Sequence, residues 1–267
     1  MLGFIQILDP VSPWLLGVAF VATLSVVIEV GYQTARKLRG NRDLDKHPIE
    51  TSVTGTVTGL LAFMLAFTFG GSVSRYADVR NLALADTIAI ENTFNLADFL
   101  AEPQRTEAKR ILVEYHRLRL EAVGSGDMEA IAKAGQRSIA MQQQLWEIAV
   151  LTRTETGDSK LNPFVGAVGD LADAHTRRVH KAVVTRLPSV LWVCLLFLAT
   201  LASFMLGMGS GFHGRRSRLA ATAMLVGFCS VFVLIIDLDR PVRSLFQITD
   251  KTSQALLERM QGEVGEP

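Results

Sequence analysis

Histidines, cysteines and carboxylates are the side chains of this sequence best able to do chemistry, and their spacing argues against most of it. The five histidines are His47, His116, His175, His180 and His213. A helical zinc motif sets two histidines four residues apart on one face, whereas His175 and His180 stand five apart. No metal site is expected. Cys194 and Cys229 each fall inside an apolar run, where a thiol behaves as a small hydrophobe. Gly207-Met208-Gly209-Ser210-Gly211 lacks the strand and helix that would make it a phosphate-binding loop. No nucleophile can be matched to a base, so the chain reads as a non-enzyme with no cofactor.

Two charged features carry other possibilities. Glu29 lies in an apolar run, and an intramembrane carboxylate is a functional suspect by default. Arg36 and Lys37 follow closely, so snorkelling or local pairing is its plainer reading. Asp237-Leu238-Asp239-Arg240-Pro241 closes the last apolar run. The plain reading there is a span end followed by a cap, with proline tolerated in the next first turn. The other reading makes Asp237, Asp239 and Arg240 an ion-binding or interchain locking motif beside the headgroups.

The elements that must position these groups are dominated by four long apolar runs. A bilayer core about 30 Å thick needs roughly 20 apolar residues of helix. Residues 55–73 contain no charge at all. Spans are expected at about 14–34, 55–74, 189–208 and 219–236. The average of 20% charged residues and the mean hydropathy of +0.29 hide this, because charge is segregated. Residues 75–187 carry fifteen Lys/Arg and fifteen Asp/Glu, which makes that segment a neutral, water-facing domain. A net charge of +1 gives no clustered basic footprint for nucleic acid. The first apolar run has no preceding Lys or Arg and no small-residue cleavage site, so it is expected to stay attached.

The fold class expected is therefore an all-α membrane protein: four transmembrane helices in two pairs with an intervening helical, water-facing domain. The segments are 1–74 for the first pair, 75–187 for the domain, 188–237 for the second pair and 238–267 for a tail. In the tail, Leu256, Leu257 and Met260 form the apolar side of a short helix. Within the domain, apolar residues recur with helical period over about 75–101, 103–123, 127–152 and 163–187. In the second of these, Ala108, Ile111, Leu112, Tyr115, Leu118 and Ala122 share one face, and Gly124-Ser125-Gly126 ends it. Nothing breaks the pattern at residues 74–80, so the second span runs on into the domain. Pro188 marks the entry to the third span as a kink or a start.

Orientation rests on basic residues. The connection at 31–54 holds Arg36, Lys37, Arg39, Arg42 and Lys46, and that at 209–218 holds Arg215, Arg216 and Arg218. The positive-inside rule puts both connections in the cytoplasm. The domain and both termini are then extracytoplasmic, in a multi-pass protein of the cell membrane.

The second span divides into faces at 100° per residue. Gly55, Gly59, Ala62, Ala66 and Gly70 fall within about 80° of one another. Small side chains let helices approach closely in lipid, so packing is the expected use, with close approach to a ligand as the alternative. Thr54, Thr58, Leu61, Leu65, Thr68 and Ser72 make a second stripe with hydroxyls at both ends. Around an axis of several copies, this stripe would line a pore with an apolar waist. Otherwise each hydroxyl bonds a carbonyl one turn back and the leucines face lipid. Phe63 and Phe67, one turn apart, offer an aromatic waist if the helix is rotated. Four spans with one clear ionisable side chain give a single chain no polar path, so conduction would need an oligomer.

Taken together, LLAFMLAFTFGGSVSRYADVR, Asp86 with Ala89-Ile90, DLADAHTRRVHKAVVTRLPSVLW and IIDLDRPVRSLFQIT resemble one pattern. The chain is similar to the bestrophin-like domain family of bacterial and plant membrane proteins, over nearly its whole length. The resemblance implies a two-span, helical domain, two-span layout and a remote relation to bestrophins, pentameric anion channels with a pore lined by the second span. Bestrophins close a calcium clasp with consecutive acidic residues after the fourth span, where this chain has only Asp237 and Asp239. Their domains face the cytoplasm, the opposite of the charge count, which is kept here. Asp86 stands where the family usually has glutamate, and Ile88 where asparagine is expected.

The leading expectation is an oligomeric ion channel, for anions, in the lipid bilayer, a pentamer by resemblance. Thr58, Leu61, Leu65 and Thr68 are the pore candidates. The alternative is a membrane-anchored helical sensor or scaffold that binds a protein partner through residues 75–187.

Overall fold

The computed structural model describes residues 11–39, 48–156, 161–181, 186–212, 218–240 and 251–265. Among them are eight α-helices and no strand. They are α1 (Pro13–Arg39), α2 (Pro48–Leu96), α3 (Gln104–Ser125), α4 (Met128–Thr156), α5 (Asn162–Val179), α6 (Ser189–Phe212), α7 (Arg218–Asp239) and α8 (Lys251–Val264). A 3-10 turn, Ala97–Phe99, follows α2. Four stretches are long and apolar enough to cross a membrane: Pro13–Leu38, Ser52–Phe99, Ser189–Phe212 and Ala221–Asp239. The chain forms two compact units, the first from Met1–Arg75 with Leu187–Arg240, the second from Tyr76–Arg186 with Pro241–Pro267.

Helix α2 contributes to both units. With neither a proline nor a charge cluster to stop it, it runs 49 residues without a break. At 1.5 Å per residue that is roughly 73 Å, more than twice a bilayer core of about 30 Å. Its continuity past residue 74 matches the sequence pattern.

The first unit is held by helices in backbone contact. Trp14, Val18, Val190, Val193, Phe197 and Leu219 are exposed on it, the apolar exterior a bilayer demands. In lipid, apolar exteriors gain nothing by meeting one another, so packing depends on how near backbones can come. Here α1 lies along α6. A Cβ added to Gly31 would strike the Phe204 carbonyl, and one on Gly207 would strike the Ile28 carbonyl. At Gly211 it would lie 2.6 Å from the Ala35 Cβ. Gly207 and Gly211, the outer glycines of the cluster read from sequence as lacking a phosphate-loop context, thus serve helix packing. Inside the unit, Phe232 stacks on Phe20 at 4.0 Å between ring centres and takes the edge of Trp192 at 5.7 Å.

The second unit has an ordinary apolar core of Ile90, Phe94, Leu112, Tyr115, Leu145, Phe164 and Leu171. Helix α3 ends where Gly126 adopts φ 64°, a left-handed cap that glycine enters without steric cost. Along α3 the face expected from sequence is wider than predicted. Val113 and His116 are buried as well, while Leu118 is only half-buried. The reason is a second neighbour: α8 packs against α3 and puts Leu256 and Met260 into the same core. The tail helix is therefore part of the second unit rather than a separate segment. Helix α5 is regular to Val179, His180 keeps helical φ and ψ, residues 182–185 lie outside the described residues, and α6 starts at Ser189 directly after Pro188.

Replacing Gly207 by alanine should force α1 and α6 apart and cost about 1–3 kcal/mol, the usual range for overpacking. Gly227→Ala, where an added Cβ meets nothing within 4 Å, should leave thermal unfolding in detergent unchanged. Equal melting of the two variants would contradict the backbone-contact account.

Candidate functional site

Helix α2 decides which of the sequence-predicted groups are available to anything outside the chain. Leu61, Leu65, Thr68 and Ser72 are buried on it. The two leucines join Leu24, Trp192, Leu195 and Ile235 in the core of the first unit. Thr68 Oγ1 donates to the Met64 carbonyl at 2.7 Å and Ser72 Oγ to the Thr68 carbonyl at 3.0 Å. The hydroxyls are thus spent one turn back. Thr58, on the edge of the same stripe, is half-buried. This corrects the pore assignment: Leu61, Leu65 and Thr68 face their own protomer's core, so they are not free to face an axis between copies.

The opposite side of α2 is open. Phe63 and Phe67 are 65% and 62% exposed, and Phe63 points roughly 180° from the middle of the buried stripe. Gly55, Gly59, Ala62, Ala66 and Gly70 lie beside them, all exposed. A Cβ built on Gly55, Gly59, Gly70 or Gly71 meets nothing within 4 Å. Among the described residues, the glycines of the small-residue stripe therefore pack against no other helix.

The acidic motif after the fourth span is turned inward. Asp237 and Asp239 are buried and Arg240 nearly so. Asp239 Oδ1 accepts the Leu187 amide at 3.2 Å and lies 3.4 Å from Arg75 Nη1, which also donates to the Asp239 carbonyl at 3.0 Å. Arg75 thereby ties the end of α7 and the entry to α6 to α2. Asp237, Asp239 and Arg240, the three residues of the ion-binding or interchain reading, are all buried within the protomer. Among the described residues no group of three or more His, Cys, Asp or Glu could hold a metal ion. Pro241 lies outside the described residues, as do His47 and His213.

The second unit contains a buried charge centre. Asp86 stands on the face of α2 that also buries Ala83, Thr87, Ile90 and Phe94. Arg119 of α3 grips it with two nitrogens, Nη1 to Oδ1 at 2.9 Å and Nη2 to Oδ2 at 2.8 Å. Arg178 of α5 adds Nη1 to Oδ2 at 2.8 Å. Tyr115 accepts from Arg119 at 2.7 Å and from Gln142 at 3.0 Å. Burial raises the Tyr115 pKa. Burial also opposes the Arg119 charge, but Tyr115 and Asp86 outweigh it and raise its pKa. For Arg178, burial and the neighbouring Arg119 prevail and lower it. A guanidinium still stays protonated in a protein. His116 Nε2 donates to the Ser253 carbonyl of α8 at 2.8 Å, and burial lowers its pKa. Burial, with help from Arg119, pushes His175 down to about 4, and its Nδ1 has no partner among the described residues.

With this geometry in hand, relatives can be compared. The family model for the Bestrophin-like domain matches residues 18–253. The chain belongs to that family. No curated protein matches it. A crystal structure of a bacterial bestrophin homologue from Klebsiella pneumoniae is 14% identical, with TM-score 0.68 over 95% of this chain and 99% of that one. A point variant of the Klebsiella protein gives TM-score 0.69 at 14% identity, over 96% and 100%. A further crystal structure, described as that of a membrane protein, gives 0.70 at 13%, over 96% and 100%. At such identities the likeness shows the fold. This bestrophin-like chain is a membrane protein of the bestrophin type, as its sequence motifs implied.

Sequence reasoning found Asp86 and Asp239 but missed the cations that hold them. Arg75, Arg119 and Arg178 stand in charged segments where an arginine looks like any solvated one. A usable signal did exist at Asp86, an acid on an otherwise apolar helix face. Glu29 accepts from Gln33 at 3.1 Å one turn away on α1.

Two outcomes follow from these centres. Arg75→Met should destabilise the protein by about 3 kcal/mol, because it removes a cation paired with the buried Asp239 carboxylate, and adding Asp239→Asn should recover part of the loss. Unchanged melting of Arg75→Met would refute this. His175 is neutral in the fold and cationic when unfolded below about pH 6.5. The unfolded chain then binds more protons, so stability falls as pH drops from about 6.5 toward 4, by on the order of 3 kcal/mol at most. His175→Phe should flatten that slope in melting curves taken across this range.

Proposed function

We propose that this bestrophin-like protein is an oligomeric ion channel whose axis is lined by the open face of α2. The observation that carries the reading is the side α2 leaves uncovered. Phe63 and Phe67 project from it beside a stripe of exposed glycine and alanine whose glycines meet nothing among the described residues. Small residues let several α2 backbones come close in a bilayer, where packing rather than hydrophobicity drives association. Copies arranged about an axis would then present two aromatic rings per protomer, one turn apart. Such a ring of phenylalanines is an apolar constriction that gates by dewetting. Aromatic edges carry the positive part of the ring quadrupole, which suits passing anions. The resemblance to bestrophins points to five copies, two pairs of spans and a water-facing second unit.

A second reading is favoured by the basic residues of the 31–54 and 209–218 connections, which argue for a second unit outside the cytoplasm. It makes the protein a membrane-anchored scaffold that meets a protein partner through residues 75–187. A cysteine placed at the exposed Ser125 separates the two: labelling from outside supports the scaffold, and protection supports the bestrophin arrangement.

Conduction is tested by flux from liposomes holding the purified protein and by its mass in mild detergent. Phe63→Ser combined with Phe67→Ser should raise anion flux roughly ten-fold over the parent by wetting the constriction. Silence from both correctly inserted proteins, or a monomeric mass, would overturn the shared pore.

A further inference from the structure

The Asp86 centre has more positive charge than it uses. Two guanidiniums, Arg119 and Arg178, face one carboxylate, and His116 beside them is kept neutral by burial. The surplus is one positive charge. Arg119 is only 11% exposed and Arg178 24%, so water screens this charge poorly. An uncompensated charge taken out of water is costly unless a counter-charge or hydrogen bonds meet it.

The same groups border a cavity of about 30 Å³ inside the second unit, lined by Asp86, Thr87, His116, Arg119, Arg178 and Ser253 among others. About 10–15 Å³ by this measure admits one water. The space therefore suits an ion of about halide size. Donors are available in it. Arg178 spends only Nη1 on Asp86, and its other nitrogens bond nothing among the described residues. Ser253 Oγ lies 3.3 Å from both Thr87 Oγ1 and His116 Nε2; Nε2 gives its hydrogen to the Ser253 carbonyl, so the hydroxyl proton of Ser253 can rotate between Thr87 Oγ1 and the cavity. Asp86 is already saturated by three guanidinium contacts, so its carboxylate is turned to the arginines rather than left free.

We propose that this cavity is a binding site for one small monovalent inorganic anion of chloride size, held by Arg178 and Arg119 with the Ser253 hydroxyl. The ion would neutralise the surplus charge and pin α8, through Ser253, to α2 and α3. This site is separate from the α2 face and stands whether or not the protein conducts. Water filling the cavity instead would satisfy donors but leave the charge uncompensated.

Bromide is the probe, titrated against the purified full-length protein in detergent at constant ionic strength, with gluconate, too large for the cavity, as the balancing anion. Melting temperature should rise saturably with bromide. Ser253→Ala should raise the half-saturating concentration roughly ten-fold, the loss of one hydrogen bond to a charged group. Arg178→Gln should abolish the response. Asp86→Asn, which adds a positive charge, should shift half-saturation the other way, to lower bromide, an effect no purely structural role predicts. Bromide-soaked crystals should show anomalous density between Arg178 and Ser253. Equal responses to bromide and gluconate, or a bromide response in Ser253→Ala unchanged from the parent, would overturn the site. Should Arg178→Gln or Asp86→Asn fail to fold, the Ser253→Ala comparison and the anomalous density still decide it.

Discussion

Everything outward-facing in the first unit follows from which side of α2 its own chain covers. Leu61, Leu65, Thr68 and Ser72 enter the protomer core, and a side chain packed there cannot also meet a neighbour. The consequence falls on the other side, where Phe63 and Phe67 stand clear among residues too small to fill the space around them. The proposed pore rests on this division. So does the correction of the hydroxyl-edged stripe, whose threonine and serine satisfy themselves against the helix backbone.

Close backbone contact is the complementary constraint. Hydrophobic burial holds the second unit, with Leu112, Tyr115 and Leu171 fully enclosed. It does little for helices already immersed in apolar surroundings. There, Gly31, Gly207 and Gly211 substitute by letting α1 and α6 touch along their backbones. Glycine on α2 has no such neighbour among the described residues. One residue type thus serves two different purposes in one membrane unit, and the difference is visible only in what surrounds it.

Buried charge is handled in two ways. Arg75 and Asp239 compensate one another, and each also satisfies a backbone group near the ends of helices. Asp86 is instead over-compensated, by two arginines from helices far apart in sequence. Balanced pairing suits a structural tie. An excess of one sign beside a cavity is an arrangement that calls for a counter-ion, which is why the second centre and not the first carries the inference about anions.

Much of this molecule was legible in order of residues alone. Run length without charge is a local property, so the four spans, the unbroken α2 and the helical character of 75–187 could be read directly. The αL stop at Gly126 and the amphipathic tail helix followed equally from local chemistry. The side of α2 that faces inward could not be read, because in a bilayer leucine and phenylalanine suit lipid and core alike and periodicity loses its meaning as an inside–outside signal. Nor could the partners of Asp86, since residues 86, 119 and 178 are joined only by folding, and a charged side chain declares its partner through distance rather than sequence position. Composition and periodicity settled what the helices are; tertiary packing alone decided which of their faces remain free.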